Sequence, residues 1–162
     1  TLMPPMSPGE LTAGYVLAST TRGLLVGIAV LIGMLIFTTV KIHSITFILF
    51  YAISASMLMS VLGLVTAIWA EKIDHVASIN NFIILPLIFL SGTFYSTQHL
   101  PEIFQKIAYF NPFFYVIDGF RYGFLGVHDG SLVTGIVLLT TLIVFFWFSC
   151  IQLFASGYKL KS

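Results

Sequence analysis

Few side chains in this sequence could carry chemistry, and their spacing does not favour it. The four histidines, His43, His75, His99 and His128, sit near the ends of apolar runs or in loops. None belongs to a His-Glu-x-x-His pattern, which would set two imidazoles on one helix face around zinc. His128-Asp129-Gly130 has the composition of a turn. Ser91-Gly92 could be imagined as an intramembrane nucleophile, but a serine needs a neighbouring base, and no histidine lies within a span to serve as one. Cys150 is the only cysteine, so no intrachain disulfide can form, and its apolar run makes it a buried thiol. No Gly-x-x-x-x-Gly-Lys-Ser/Thr loop is present to cradle a nucleotide phosphate. The chain reads as something other than an enzyme.

Two further groups fit a path or a clamp better than a reaction. Asp118 and Arg121 are three apart, close enough to pair on one helix face. Around them aromatics crowd: Phe94, Tyr95, Tyr109, Phe110, Phe113, Phe114, Tyr115, Phe120, Tyr122 and Phe124. Such a belt suits a membrane interface or an aromatic gate over a substrate path.

The elements that must position these residues are membrane helices. Of 162 residues, 58% are hydrophobic and only 8% charged, where a soluble domain carries about 25% charge. A net charge of +1 offers nothing to a nucleic acid. Charge-free runs predict four spans, at about 15–40, 46–70, 76–95 and 131–154, each near the roughly 20 residues that cross a bilayer. Arg22, Lys72, Lys159 and Lys161 then share one side, against Lys41, Lys106 and Arg121, which puts both termini in the cytoplasm. Gly23 and Gly27, and Ala52, Ser56 and Ser60, have the small-residue spacing that lets helices approach in lipid. Ser7-Pro8-Gly9-Glu10 reads as a capping box that opens a helix.

Between the third and fourth spans the chain breaks. "SGTFYSTQHLP" is small and hydroxylated; Pro101 can open a short amphipathic helix, and Asn111-Pro112 ends it. A second short helix, "PFFYVIDGFRYGFLG", follows. Neither is long enough to span. The predicted fold is an all-α membrane protein with four transmembrane helices and a re-entrant or interfacial helix pair, about 96–127, between the third and fourth. Re-entrant backbone must be buried in protein or line a wet cavity.

The order of these residues resembles the permease subunit of ABC-2 type exporters. Leu90-Ser91-Gly92 with Phe94 and Tyr95, then Leu100-Pro101, Asn111-Pro112, Tyr115 and Arg121 match the end of that family's fifth span and its re-entrant pair. "SPGELTAGYVLA" is similar to the segment before its third span, and "EKIDHVASINNFIILPLIFLSG" to the loop and fifth span. Ser96 stands where many members have proline, and four spans appear where the family has six, so the chain reads as the C-terminal part of a permease. The resemblance implies a multi-pass protein of the bacterial inner membrane that exports a drug, polysaccharide or lipid-linked glycan. It implies a second permease copy as partner, and a cytoplasmic ABC ATPase subunit that holds the ATP and magnesium, with no cofactor on this chain. Coupling would act through Ser7, Glu10, Glu71, Lys72 and Asp74. Gate residues would be Ser91, Gly92, Phe94, Tyr95, Pro101, Phe110, Asn111, Pro112, Tyr115, Asp118 and Arg121. The rival expectation is a secondary transporter or channel subunit with a re-entrant loop.

Overall fold

The computed structural model describes residues 6–39, 41–70, 72–92 and 102–156, and these are helical with no strand. Helix α1 (Pro8–Phe37) begins as the capping box requires. The Ser7 N–H donates to Glu10 Oε2 at 2.7 Å, the Glu10 N–H donates to Ser7 Oγ at 3.3 Å, and Pro8 occupies the first turn. Removing the hydroxyl with Ser7→Ala should fray this end. Amide exchange at Glu10 is expected to rise about fivefold, while exchange in the middle of α1 stays unchanged.

Helix α2 (Ile45–Trp69) folds back antiparallel along α1. Thr20 Oγ1 meets Ser60 Oγ at 3.5 Å, and a methyl group built on Gly23 would come within 2.8 Å of Ser56 Oγ. Ser56 and Ser60 of the small-residue stripe on α2 are therefore helix contacts. On α1 only half of the expected pair takes part: Gly23 meets α2, whereas Gly27 faces open space.

Helix α7 (Leu132–Ala155) runs parallel to α2. At one end the Tyr51 hydroxyl donates to the Leu132 carbonyl at 3.4 Å; towards the other, the Cys150 thiol reaches the Val61 carbonyl at 3.7 Å. Tyr51, Leu58, Val116 and Leu139 form the core. The Tyr15 and Phe154 rings stack at 6.5 Å, so the start of α1 and the end of α7 share one end of the bundle.

The bundle carries apolar side chains on its outer surface as well as in its core. Thr12, Thr20 and Ser54 are buried, while Leu25, Ile28, Ile32 and Phe37 of α1 are exposed. An apolar surface all round a helix suits lipid. Among the described residues, α1, α2 and α7 (30, 25 and 24 residues) are long and apolar enough to cross a membrane, at about 1.5 Å per residue against a core of about 30 Å.

The third expected span differs. Helix α3 (Ile73–Ile79), a π-helical turn (Asn80–Ile84) and helix α4 (Leu85–Phe89) form one apolar stretch, Ile73–Phe89. Its 17 residues cover about 25 Å. The helix stops at Phe89, short of the expected end at Tyr95: Leu90, Ser91 and Gly92 form a turn, with Gly92 left-handed, and residues 93–95 lie outside the described residues. Helices α5 (Glu102–Phe110) and α6 (Pro112–Leu125) complete the fold.

Candidate functional site

Helix α6 organises one end of the molecule. It starts at Asn111, whose side chain accepts the Phe113 N–H at 3.0 Å, with Pro112 in the first turn. It stops at Gly126, left-handed at φ 74, a conformation that favours glycine. Its small face presses on α2. A methyl group on Gly119 would lie 2.3 Å from the Tyr51 ring, and one on Gly123 would lie 2.6 Å from Ile48. The Gly123 carbonyl accepts the N–H groups of His43 and Ser44 at 3.0 and 2.9 Å. As α6 advances from 119 to 123, its contacts on α2 retreat from 51 to 48, so the two helices are antiparallel.

Helix α4 ends against α6. With the helix finished, its last carbonyls need other donors. The Asn111 amide donates to the Leu87 carbonyl, and the Ser91 hydroxyl donates to the Ile88 carbonyl. Further along α6, Arg121 donates through one guanidinium nitrogen to Asp129 Oδ2 at 2.8 Å and through the other to the Gly92 carbonyl at 2.9 Å.

Asp118 does more than its spacing predicts. It forms a long ion pair with Arg121, 3.9 Å. Its oxygens also accept the backbone N–H groups of Asp129 and Gly130, at 2.7 and 3.0 Å. Asp118 is 2% exposed. It shapes the α6–α7 turn, and the turn presents Asp129 to Arg121. Among the described residues no buried side-chain polar atom lacks a partner.

Of the expected gate residues, Ser91, Gly92, Asn111, Pro112, Tyr115, Asp118 and Arg121 gather where α4, α5, α6 and the turn meet. Tyr115 is buried, and its hydroxyl donates to the Tyr109 carbonyl at 3.0 Å. Phe110 stands apart, 88% exposed. Phe94, Tyr95 and Pro101 lie outside the described residues. Sequence reasoning missed Tyr51, Asp129, Gly119 and Gly123. The glycines had a readable signal in their small-xxx-small spacing.

Of the expected coupling residues, Ser7, Glu10, Lys72 and Asp74 lie at the opposite end of the bundle. Ser7 and Glu10 open α1, while Lys72 and Asp74 follow the end of α2. Both carry exposed positions. Glu10 spends its carboxylate on the cap. Glu71 lies outside the described residues. No cluster of three or more His, Cys, Asp or Glu side chains that could hold a metal occurs among the described residues.

Comparison with known proteins points one way. The family profile described as ABC-2 type transporter matches residues 1–125. The inner membrane transport permease YadH of Escherichia coli (strain K12) is 37% identical over 161 residues, 99% of this chain and 63% of that protein. YadH of Shigella flexneri matches to the same extent. Nodulation protein J of Rhizobium leguminosarum bv. viciae is 34% identical over 83 residues, 51% of this chain and 32% of its own. The chain thus spans less than two thirds of the length of these relatives. No solved structure matches.

Proposed function

The chain belongs to the ABC-2 type transporter family, and from that premise we propose that it forms part of the permease subunit of an ATP-driven exporter in a bacterial inner membrane. In this reading α1, α2 and α7 cross the bilayer, and the Ile73–Phe89 stretch makes a fourth crossing. The α5–α6 pair is re-entrant: α5 dips in from the outer face and α6 returns. The end bearing Ser7, Lys72 and Asp74 faces the cytoplasm. There it meets a separate ATPase subunit that holds ATP and magnesium, and a second permease copy completes the path.

One observation supports the re-entrant course above others. Helix α6 lies antiparallel to the first turns of α2, its start at Asn111 touches Leu87 within α4, and its Arg121 reaches Gly92 in the turn that follows α4. A 14-residue helix is about 21 Å long, too short to cross, and this placement returns its C-terminus to the end where α2 begins.

The test uses the full-length protein with Cys150 replaced by Ser and single cysteines at exposed His128 or Asp74. With an impermeant thiol reagent on intact cells, labelling is expected at His128→Cys. Asp74→Cys should react only after the membrane is opened. Labelling of Asp74→Cys with protection of His128→Cys would mean that the bundle sits the other way up. Protection of both would mean that α5–α6 carries the chain across.

A further inference from the structure

The segment Ile73–Phe89 is attached to the bundle in an unusual way. None of the residues in α3, the π-helical turn or α4 is buried. The segment meets α2 near its start and α6 near its end. Its midpoint carries a π turn, in which the Leu85 N–H donates to the Asn80 carbonyl five residues back, followed at once by Pro86, which brings no N–H to the ladder. At its far end it is tied to α6 by side chain to carbonyl bonds, Asn111 to Leu87 and Arg121 to Gly92. Hydrogen bonds thus join it to α6 at that end.

We propose that these bonds form a releasable latch, worked by Arg121, that holds or frees the end of α4. The chemistry of Arg121 makes release feasible. Stripping a buried arginine of its partners leaves a bare charge and is expensive. Here the guanidinium has carboxylates on its other side, Asp129 at 2.8 Å and Asp118 at 3.9 Å. It can let go of the Gly92 carbonyl and turn its fork towards the carboxylates, a planar pairing that arginine favours. The charge stays neutralised in both positions, so the exchange trades one hydrogen bond for another. Gly92 is left-handed at φ 80, and this conformation aims its carbonyl at Arg121. The π turn supplies the hinge. Asp129 thus acts as the competitor that permits release, although it looks like part of a static clamp.

That assignment gives opposite signs to two substitutions. Arg121→Gln removes the charged tether and favours the released position. Asp129→Asn removes the competing carboxylate and leaves Arg121 on Gly92, favouring the latched position. A static clamp predicts loosening by both. The experiment is read in the full-length protein in its membrane, in a Cys150→Ser background with a single cysteine at Ser91, which is buried next to Gly92. The rate of labelling by a small thiol reagent reports how often the end of α4 comes away. Arg121→Gln is expected to raise the rate about tenfold, the loss of one hydrogen bond to a charged group. Asp129→Asn should lower it below the parent. Arg121→Lys, which keeps the charge without the fork, should fall between Arg121→Gln and the parent.

A second cysteine site at Leu139, in the core, reports unfolding and should stay unlabelled throughout. If Arg121→Gln exposes Leu139→Cys, the decision rests on Asp129→Asn alone. A rise in Ser91→Cys labelling with Asp129→Asn, or no change in it, overturns the latch. The proposal takes its purpose, movement during export, from the permease reading. Its measurement needs neither ATP nor substrate, so the latch can fail while that reading stands, and the reading can fail while the latch is seen.

Discussion

Replacing Asp118 by Ala is expected to cost about 3 kcal/mol of folding stability, among the largest losses available from one side chain in this molecule. The carboxylate is buried and accepts the N–H groups of Asp129 and Gly130. Alanine would strand both donors, at about 1–3 kcal/mol for each that ends without a partner. It would also let the turn drift, so that Asp129 no longer meets Arg121. Asp118→Asn should cost roughly half as much, because one carbonyl oxygen remains to accept while the amide opposes the second N–H. Thermal unfolding of the full-length protein in mild detergent checks the order parent, Asn, Ala. A shift of less than about 0.5 kcal/mol for Asp118→Ala, the range of ordinary surface substitutions, would show that the turn holds without its carboxylate.

Filling the gap at Gly119 should be as damaging, for the opposite reason. Its first added carbon would sit 2.3 Å from the Tyr51 ring, and Tyr51 is itself fully buried. Neither side can give way cheaply in a packed core. Gly119→Ala is expected to cost about 2–3 kcal/mol, and Gly119→Leu to prevent α6 from docking, seen as loss of folded yield. Trimming the obstacle should partly rescue it: Gly119→Ala combined with Tyr51→Ala should lose less than the sum of the single losses, by about 1–2 kcal/mol. Gly27→Ala is the control. Nothing lies within 4 Å of that position, so it should be neutral or slightly stabilising through helix propensity. Equal losses at Gly27 and Gly119 would mean that α6 does not rest on α2.

Much of the helical framework could be read from the residues, because lipid leaves a coarse signature. The runs without charge that framed α2 and α7 end within a residue or so of Ile45–Trp69 and Leu132–Ala155. The start of α1 was written in Ser7-Pro8-Gly9-Glu10, and the break between α5 and α6 in Asn111-Pro112, since both depend on local backbone rules. The site was less legible because its bonds join distant segments. Asp118 and Arg121 have ideal helical spacing for a pair, yet the backbone of the turn claims Asp118, and Arg121 finds Asp129 only because the chain folds back after Gly126. The carbonyls of Leu87 and Gly92 have no side-chain signature at all. Glu10 forms the inner half of the helix cap that Ser7-Pro8-Gly9-Glu10 spells out.

Lys72 and Asp74 share the other end of the bundle with the start of α1. The most direct test of the permease reading is purification of the full-length protein from its own membrane in mild detergent, followed by identification of what comes with it. An ABC ATPase subunit that hydrolyses ATP is expected, bound in fixed ratio. Lys72→Glu combined with Asp74→Lys should lower the bound fraction at least several-fold while membrane insertion is unchanged. Contradiction would come from a protein that purifies without any ATPase and, once in liposomes, moves solute down or against an ion gradient with no ATP present.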